Sequence, residues 1–419
     1  MEKSQWLPPE QLAQLQLERL RDFLSHIGRH VPYYRELFSS LKFDPKAITS
    51  LEGLQQLPLM DKPVIRANME SLKAEDAKNL QKFNTGGSSG EPLIFYLGKE
   101  RVSHDVAAKR RATRWWDVDI GDPEIVVWGS PIELGSQDRV RLLCDKFFRT
   151  ELLSAFEMSD ANLNRFVQRI QTFRPRMLFG YPSSLALIAE YADSNGYQIN
   201  DLGIKVAFVT SERLYPHQRQ AIMTTFGCPV ANGYGGRDAG FIAHECPSGS
   251  MHITSEDVLV EVIDENGNNL KIGEKGEFVV THLATGEYPF VRYRTGDVGV
   301  LSTQDCRCGR GLPVLEKIEG RTTDFVTAQD GTKLHGLSLI YVLRNISGIQ
   351  TFKIVQESIQ LITIELVVDG SYSTEEERDV IKQFQKRLGA GVEVRFEYVA
   401  NISAEKSGKF RYVISRVNC

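Results

Sequence analysis

Residues Thr85-Gly86-Gly87-Ser88-Ser89-Gly90-Glu91-Pro92 place three glycines and three hydroxyls within eight positions. Glycine lets the backbone turn sharply and approach a ligand closely. Successive backbone N–H groups, with Ser and Thr hydroxyls beside them, form a concavity that holds anions. A nucleotide triphosphate tail or a departing pyrophosphate needs that chemistry. No Gly-Lys-Ser/Thr follows at the Walker spacing, so the loop is not a P-loop. A Gly/Ser turn joining two elements is the competing reading.

A second set of residues could bind metal. Five residues stand between Cys246 and His252, and one between Cys306 and Cys308. Three thiolates and an imidazole make a closed Cys3His set, the type found in structural Zn2+ sites. The spacing is not that of a zinc finger, so the two halves must converge in space; His244 is a spare candidate. Unligated thiols are the alternative, and Cys144, Cys228 and Cys419 have no companion and are read that way.

Elements must position these groups. Residues 9 to 40 carry leucines and Phe23 at helical spacing, broken at Val31-Pro32-Tyr33-Tyr34. A short helix signal follows between 50 and 72, with Lys62-Pro63 opening a further helix. Arg101 to Trp116 reads as a long helix. From about 124 to 230, apolar runs at Glu124–Gly129, Met177–Gly180 and Val206–Val209 alternate with helical stretches at Ala161–Phe173, Ser183–Asn195 and Pro216–Phe226. That alternation predicts a mostly parallel α/β sheet, in which ligands bind at the carboxyl ends of strands. Gly129-Ser130-Pro131, Gly180-Tyr181-Pro182-Ser183 and Thr210-Ser211-Glu212 occupy such ends, where ordinary strand-to-helix turns would also sit. After residue 250 short strands and the hairpin signal Glu265-Asn266-Gly267-Asn268 predict an antiparallel β subdomain. From about 326 a compact tail reads strand, strand, helix, strand.

The bulk numbers limit the partners. Lys+Arg is 50 against Asp+Glu 54, a net charge of -4 over 419 residues. Such balance argues against nucleic acid or an anionic membrane held by bulk charge. No signal-peptide core follows Met1 and no apolar run is long enough to span a bilayer, so a cytoplasmic protein is expected. Monomer and homodimer both stay open.

Four further stretches fall in a known order: Asn232-Gly233-Tyr234-Gly235-Gly236-Arg237-Asp238, Arg292-Tyr293-Arg294-Thr295-Gly296-Asp297, Glu319-Gly320-Arg321-Thr322-Thr323-Asp324 and Ser407-Gly408-Lys409-Phe410-Arg411. With the Gly-rich loop they resemble the adenylate-forming acyl-CoA synthetase superfamily. His30-Val31-Pro32-Tyr33-Tyr34, Leu57-Pro58-Leu59-Met60-Asp61-Lys62, Pro289-Phe290-Val291-Arg292-Tyr293 and Cys306-Arg307-Cys308-Gly309-Arg310 look like its phenylacetate–CoA ligase and capsular-polysaccharide-type branch. The resemblance runs from about Trp6 to Val417.

It implies an α/β fold with a large N-terminal domain, 1–323, of mixed sheets and an antiparallel β subdomain, which holds ATP and an acid. A small mobile α+β domain, 324–419, is implied after a hinge at Asp324. The acid, an aryl or related small one, would become an acyl-adenylate and then pass to coenzyme A. In this pattern Thr85, Gly86, Gly87, Ser88, Ser89 and Gly90 cradle the pyrophosphate end. Leu93 stands where many relatives carry Lys, so backbone and hydroxyl donors would do more of the holding. Lys409 would bridge the carboxylate and the α-phosphate; Lys406 lacks the Ser-Gly-Lys context. Asp297 would accept the ribose hydroxyls, and Arg321 would face ribose or phosphates. Tyr234 would stack on adenine, with Ser211 and Glu212 on its other side and Asn232, Gly233 and Gly235 in the same motif. Asp238 would help hold Mg2+, although the family usually has Glu there and Asp is one methylene shorter. Trp128, Ser130, Tyr181 and Asn232 are expected near the acid by their places at strand ends. Related chains carry a similar Cys/His set. Transfer to an amine, a hydroxyl or a carrier-protein thiol is the second reading, and a non-catalytic nucleotide-binding homologue the third.

Overall fold

In a computed structural model the described residues are 1–84, 93–129, 147–155, 157–318, 325–344, 346, 348–369, 372–373, 375–402 and 413–417. Helix α1 (Pro9–His30) opens with proline in its first turn and stops where Val31 leads into Pro32, the first residue of α2 (Pro32–Leu41). Helix α3 (Lys62–Ala67) is N-capped by Asp61, whose carboxylate accepts from Val64 N at 3.0 Å. Strands β1 (Gln81–Asn84) and β2 (Ile94–Leu97) pair as an antiparallel hairpin, and α4 (Lys99–Arg114) follows.

Next come β3 (Glu124–Trp128), β4 (Thr150–Ser154), β5 (Glu157–Met158), α5 (Asp160–Phe173), β6 (Met177–Gly180), α6 (Pro182–Ser194), β7 (Val206–Thr210) and α7 (Pro216–Phe226). The antiparallel run comprises β8 (Val230–Gly236), β9 (Gly240–Glu245), β10 (Met251–Ile253), β11 (Val258–Ile263), β12 (Lys275–His282), β13 (Tyr293–Leu301) and β14 (Val314–Ile318). The C-terminal part holds β15 (Phe325–Thr327), β16 (Lys333–His335), α8 (Leu337–Arg344), β17 (Ile349–Ser358), β18 (Leu361–Val368), α9 (Glu375–Leu388), β19 (Glu393–Tyr398) and β20 (Val413–Ser415).

The chain divides into two compact units. The first contains Met1–Gly86, Leu93–Asp119 and Ala231–Gly320. Its strands lie in the order β11-β12-β13-β14-β10-β9-β8, antiparallel throughout. Helices α1 and α2 bury Leu20, Leu24, Ile27, Tyr34 and Phe38 with the sheet residues Phe278, Val280 and Tyr293 in one apolar core. The antiparallel strands therefore begin near Val230, ahead of the residue-250 boundary the sequence suggests. The glycines of β8 hide them, because glycine is a poor strand former. Pairing overrides that weakness, and Gly235 is required: a Cβ there would stand 2.1 Å from the Gly240 carbonyl oxygen.

The second unit contains Ile120–Val230 and Arg321–Cys419. Strands β7-β6-β3-β4 run parallel with α5, α6 and α7 supplying Phe166, Leu185, Ile188 and Phe226 to the core; the alternation predicts β3, β6 and β7, and β4 is added to them. Gly227, at φ +62, ends α7 where a Cβ would meet the Asn200 carbonyl at 2.1 Å. In the C-terminal part β19-β18-β17-β20 form a mixed sheet packed on α8 and α9 through Ile354, Ile364, Phe384 and Leu339. Strand β16 pairs with both β15 and β5. The expected fold class, mixed and antiparallel sheets followed by an α+β C-terminal part, is what the chain adopts. Among the described residues no helix is long and apolar enough to cross a membrane.

Candidate functional site

In the first unit Asp238 stands in the turn between β8 and β9. Its Oδ1 accepts from Ala239 N at 3.1 Å and its Oδ2 accepts from the Tyr293 hydroxyl at 2.7 Å. Arg101, 2 % exposed, lies beneath this turn. Its Nε donates to both Asp105 oxygens at 3.1 and 3.2 Å, and its Nη2 donates to Arg237 O at 3.4 Å. Gly240, at φ +87, leaves room for that guanidinium: a Cβ would come within 2.6 Å of Nη2. A buried cation thus braces the backbone of the turn, and a buried phenol holds one oxygen of the Asp238 carboxylate.

Tyr234, on β8, donates its hydroxyl to Asp297 Oδ2 at 3.1 Å. Asp297 lies inside β13, whereas Thr295-Gly296 in the sequence would also suit a turn. The local chain is held from several sides. Thr295 Oγ1 donates to Phe278 O at 2.8 Å and accepts from Asp297 N at 3.1 Å. Gly296, at φ +74, donates its N–H to Glu277 Oε1 at 3.1 Å. Asn232 N donates to Glu245 Oε2 at 2.8 Å, and Gly233 pairs opposite His244.

Arg292 joins two of the motifs that carry the resemblance. It is 5 % exposed and adopts φ +53, an uncommon backbone for a side-chain-bearing residue. Its guanidinium donates to Glu261 Oε2 at 3.1 Å, Asn269 Oδ1 at 2.7 Å and Leu57 O at 2.8 Å. Backbone bonds from Met60 N to Arg292 O and from Arg294 N to Met60 O complete the seam. The Leu57–Lys62 stretch is therefore a strap pinned along the start of β13.

In the second unit Trp128, at the end of β3, stacks on Tyr181 with ring centres 4.3 Å apart and planes at 17°. It also lies over Phe179 at 5.8 Å. Gly180 allows the close approach of β6 to β3, since a Cβ would meet Val127 O at 2.4 Å. Glu212 Oε2 accepts from the Ser183 hydroxyl and from Ser183 N at 3.4 Å. Ser211 adopts φ +72 just after β7. These residues follow the carboxyl ends of parallel strands, as expected.

Cys246, His252, Cys306 and Cys308 converge, with ligand atoms all within 4.8 Å of one another. The Cys246 and Cys306 sulfurs are 3.7 Å apart, and His252 Nε2 lies 3.2 Å from Cys308 Sγ. Zn–S bonds of about 2.3 Å at tetrahedral angles would set sulfurs about 3.8 Å apart. Since a carbonyl can only accept, His252 Nδ1 is the protonated nitrogen, donating to Leu312 O at 3.0 Å. Its Nε2 lone pair is then directed at the thiols, the usual outer support of a metal-binding imidazole. Burial, with help from Arg310 and Arg111, holds the imidazole below its ordinary pKa and so neutral. Burial pushes the Cys246 thiol up to about 11, a cost that a cation would remove.

The site residues Thr85, Gly86, Gly87, Ser88, Ser89, Gly90, Ser130, Arg321, Asp324 and Lys409 lie outside the described residues, as do Lys406, Cys144 and Cys419. Arg101, Tyr293, Glu245 and Glu277 were not singled out in the sequence. Tyr293 stands inside a quoted motif, but its partner is 55 residues away.

The C-terminal part, residues 326–416, matches the CapK C-terminal domain family. Protein CapK of Staphylococcus aureus is 25 % identical over 97 % of this chain and 90 % of its own. A phenylacetate–coenzyme A ligase of Thermus thermophilus is 26 % identical, covering 76 % of this chain and 72 % of its own. Among solved structures, 2-hydroxyisobutyryl-CoA ligase with 2-HIB-AMP and CoA in the thioesterification state shares the fold, with TM-score 0.69 and 20 % identity over 99 % of this chain and 91 % of that one. The same ligase in its postadenylation state with 2-HIB-AMP gives a TM-score of 0.64 at 21 % identity, with the same coverage.

Proposed function

We propose that the chain is a member of the adenylate-forming superfamily, in its phenylacetate–coenzyme A ligase-like branch, and that it activates a carboxylic acid with ATP and passes the acyl group to coenzyme A. A carboxylate oxygen attacks the α-phosphorus of ATP, and the bond to pyrophosphate breaks. The thiol of coenzyme A then attacks the acyl carbon, and AMP departs. AMP is the better leaving group, which is what the first step gains. Negative charge grows on the pentavalent phosphorus and the pyrophosphate, so fixed donors and cations must meet it.

The Tyr234–Asp297 hydrogen bond carries this reading. It joins two motifs 63 residues apart in sequence, as a shared adenosine site needs. Asp297 would accept the ribose hydroxyls and Tyr234 would stack on adenine, with Asn232, Gly233 and Gly235 in the same strand; Ser211 and Glu212 would also serve adenine, as the resemblance implies. Asp238 would hold Mg2+, which when bound neutralises phosphate charge. The Gly-rich loop Thr85–Gly90 would hold the leaving pyrophosphate, Arg321 the ribose or phosphates, and Lys409 the reacting centre.

The domain from Asp324 onward would rotate between the two half-reactions. The β5–β16 ladder has two residue pairs, few enough to be exchanged in such a motion. The Trp128–Tyr181 stack offers a flat aromatic face, which favours an aryl or related small acid. Cys246, His252, Cys306 and Cys308 would hold a structural Zn2+, which supplies cross-linking and no chemistry.

Transfer to an amine, a hydroxyl or a carrier thiol is the second reading. Pyrophosphate exchange over a panel of acids tests activation. Product mass with and without coenzyme A tests the acceptor: a coenzyme A thioester supports the first reading, and no thioester with any activated acid supports the second.

A further inference from the structure

A second cluster of metal-binding side chains lies on the first unit, away from the thiols. His26 and His30 are one turn apart on α1, with rings stacked at 4.7 Å between centres. Asp76 comes from the segment between α3 and β1, and its Oδ2 is 3.5 Å from His30 Nδ1. One donor atom from each of the three lies within 4.8 Å of the other two. We propose that His26, His30 and Asp76 form a site for a divalent first-row transition ion, held by two imidazoles and one carboxylate with solvent on the remaining positions.

Four features support it. Two histidines at i and i+4 present nitrogen donors on one helix face, a spacing suited to a shared ion. His30 is the last residue of α1, so the ion would sit at the negative end of the helix dipole. The Asp76 segment is fixed beside it by backbone bonds from Glu75 N to His30 O at 2.8 Å and from Ala74 N to Glu287 O at 3.0 Å. Gly286 also makes room for the His26 ring: a Cβ there would stand 3.0 Å from Cδ2, and 4.0 Å from a Glu100 oxygen.

Desolvation, then the charges of Asp257 and Glu287, push the Glu100 carboxyl above its ordinary pKa, and His26 opposes them. Arg35 is engaged by Glu75 and by Arg29 O, and Arg21, Arg29 and Lys46 line one solvent pocket with Asp22 and His26. The side chains of His30 and Asp76 are 39 % and 49 % exposed, so an ion could enter from solvent and draw the donors together. Its effect would be to clip the end of α1 to the segment that runs into the β1–β2 hairpin, which flanks the Gly-rich loop in sequence.

The test is a calorimetric titration with Ni2+ of tag-free full-length protein whose thiol cluster is left loaded with zinc, loose metal being removed by gel filtration, followed also by visible absorption. The expected result is a saturable site of about one equivalent without thiolate charge-transfer colour, nitrogen and oxygen being its donors. His26→Ala and His30→Ala should each weaken it by at least about tenfold, the loss expected even of a group that only orients a ligand. Asp76→Asn should weaken it as well. Cys306→Ser should leave it unchanged, which separates it from the Cys/His cluster. No colourless site, or one that survives His26→Ala, would overturn the proposal.

Discussion

The Tyr293 hydroxyl donates to Asp238 Oδ2 at 2.7 Å, tying the start of β13 to the turn between β8 and β9. Tyr293 is buried, so the phenol cannot swing away and the carboxylate is held in one orientation. A hydrogen bond to a charged group contributes about 1.5–3 kcal/mol. Tyr293→Phe should therefore raise the Mg2+ concentration for half-maximal pyrophosphate exchange by about tenfold and leave the rate at saturating Mg2+ close to wild type. An unchanged Mg2+ requirement would show that the phenol does not position the ligand.

Asp297 carries the nucleotide end of the account. Asp297→Ala should raise KM for ATP by at least about tenfold, the loss of hydrogen bonds to an ionised acceptor, with a smaller effect on KM for the acid. Tyr234→Phe keeps the ring and should cost less than Asp297→Ala. Steady-state kinetics of both variants check the order, and equal losses in KM for acid and ATP would contradict it.

For the thiol cluster, elemental analysis of purified protein should find about one equivalent of zinc, as one closed four-ligand set holds one ion. Less than about a tenth of an equivalent would count against it. Trp115 lies 5.8 Å from the His252 ring, and the Arg310 guanidinium lies between Trp115 and Trp6 at 4.4 and 4.8 Å. Chelation should therefore change tryptophan fluorescence while lowering Tm.

Arg111 and Glu256 form a buried ion pair at 2.5 Å, with side chains 2 % and 0 % exposed. Ser4 adds a hydrogen bond to the same Glu256 oxygen at 2.8 Å. Arg111→Met should destabilise the fold by about 3–5 kcal/mol by stranding a buried carboxylate. Adding Glu256→Leu should restore much of that loss. Denaturant unfolding of the two variants decides, and a double variant no more stable than the single one would refute the pair as the cause.

How legible this was depends on the range of the contacts. The helices α1, α5 and α7 and the parallel strands β3, β6 and β7 could be read because their signals are local: periodic leucines, Pro63 opening α3, apolar runs between turns. Strand β8 could not, because glycines 233, 235 and 236 say turn while pairing with β9 decides strand. The four zinc-type ligands were legible as residue types. Their convergence depended on β10 pairing with both β9 and β14, which brings Cys246 and the Cys306–Cys308 loop to His252. Arg101 and Arg292 were not legible as site supports. Their bonds to Arg237 and Leu57 span 136 and 235 residues, and no local pattern encodes a partner that far away.

The central claim is acid activation through an acyl-adenylate, and acid-dependent exchange of labelled pyrophosphate into ATP tests it most directly. The wild-type protein should exchange with at least one member of a panel of small aryl and aliphatic acids. Lys409→Ala should abolish that exchange while still transferring the acyl group from supplied acyl-AMP. No exchange with any acid, or wild-type exchange in Lys409→Ala, would contradict the account.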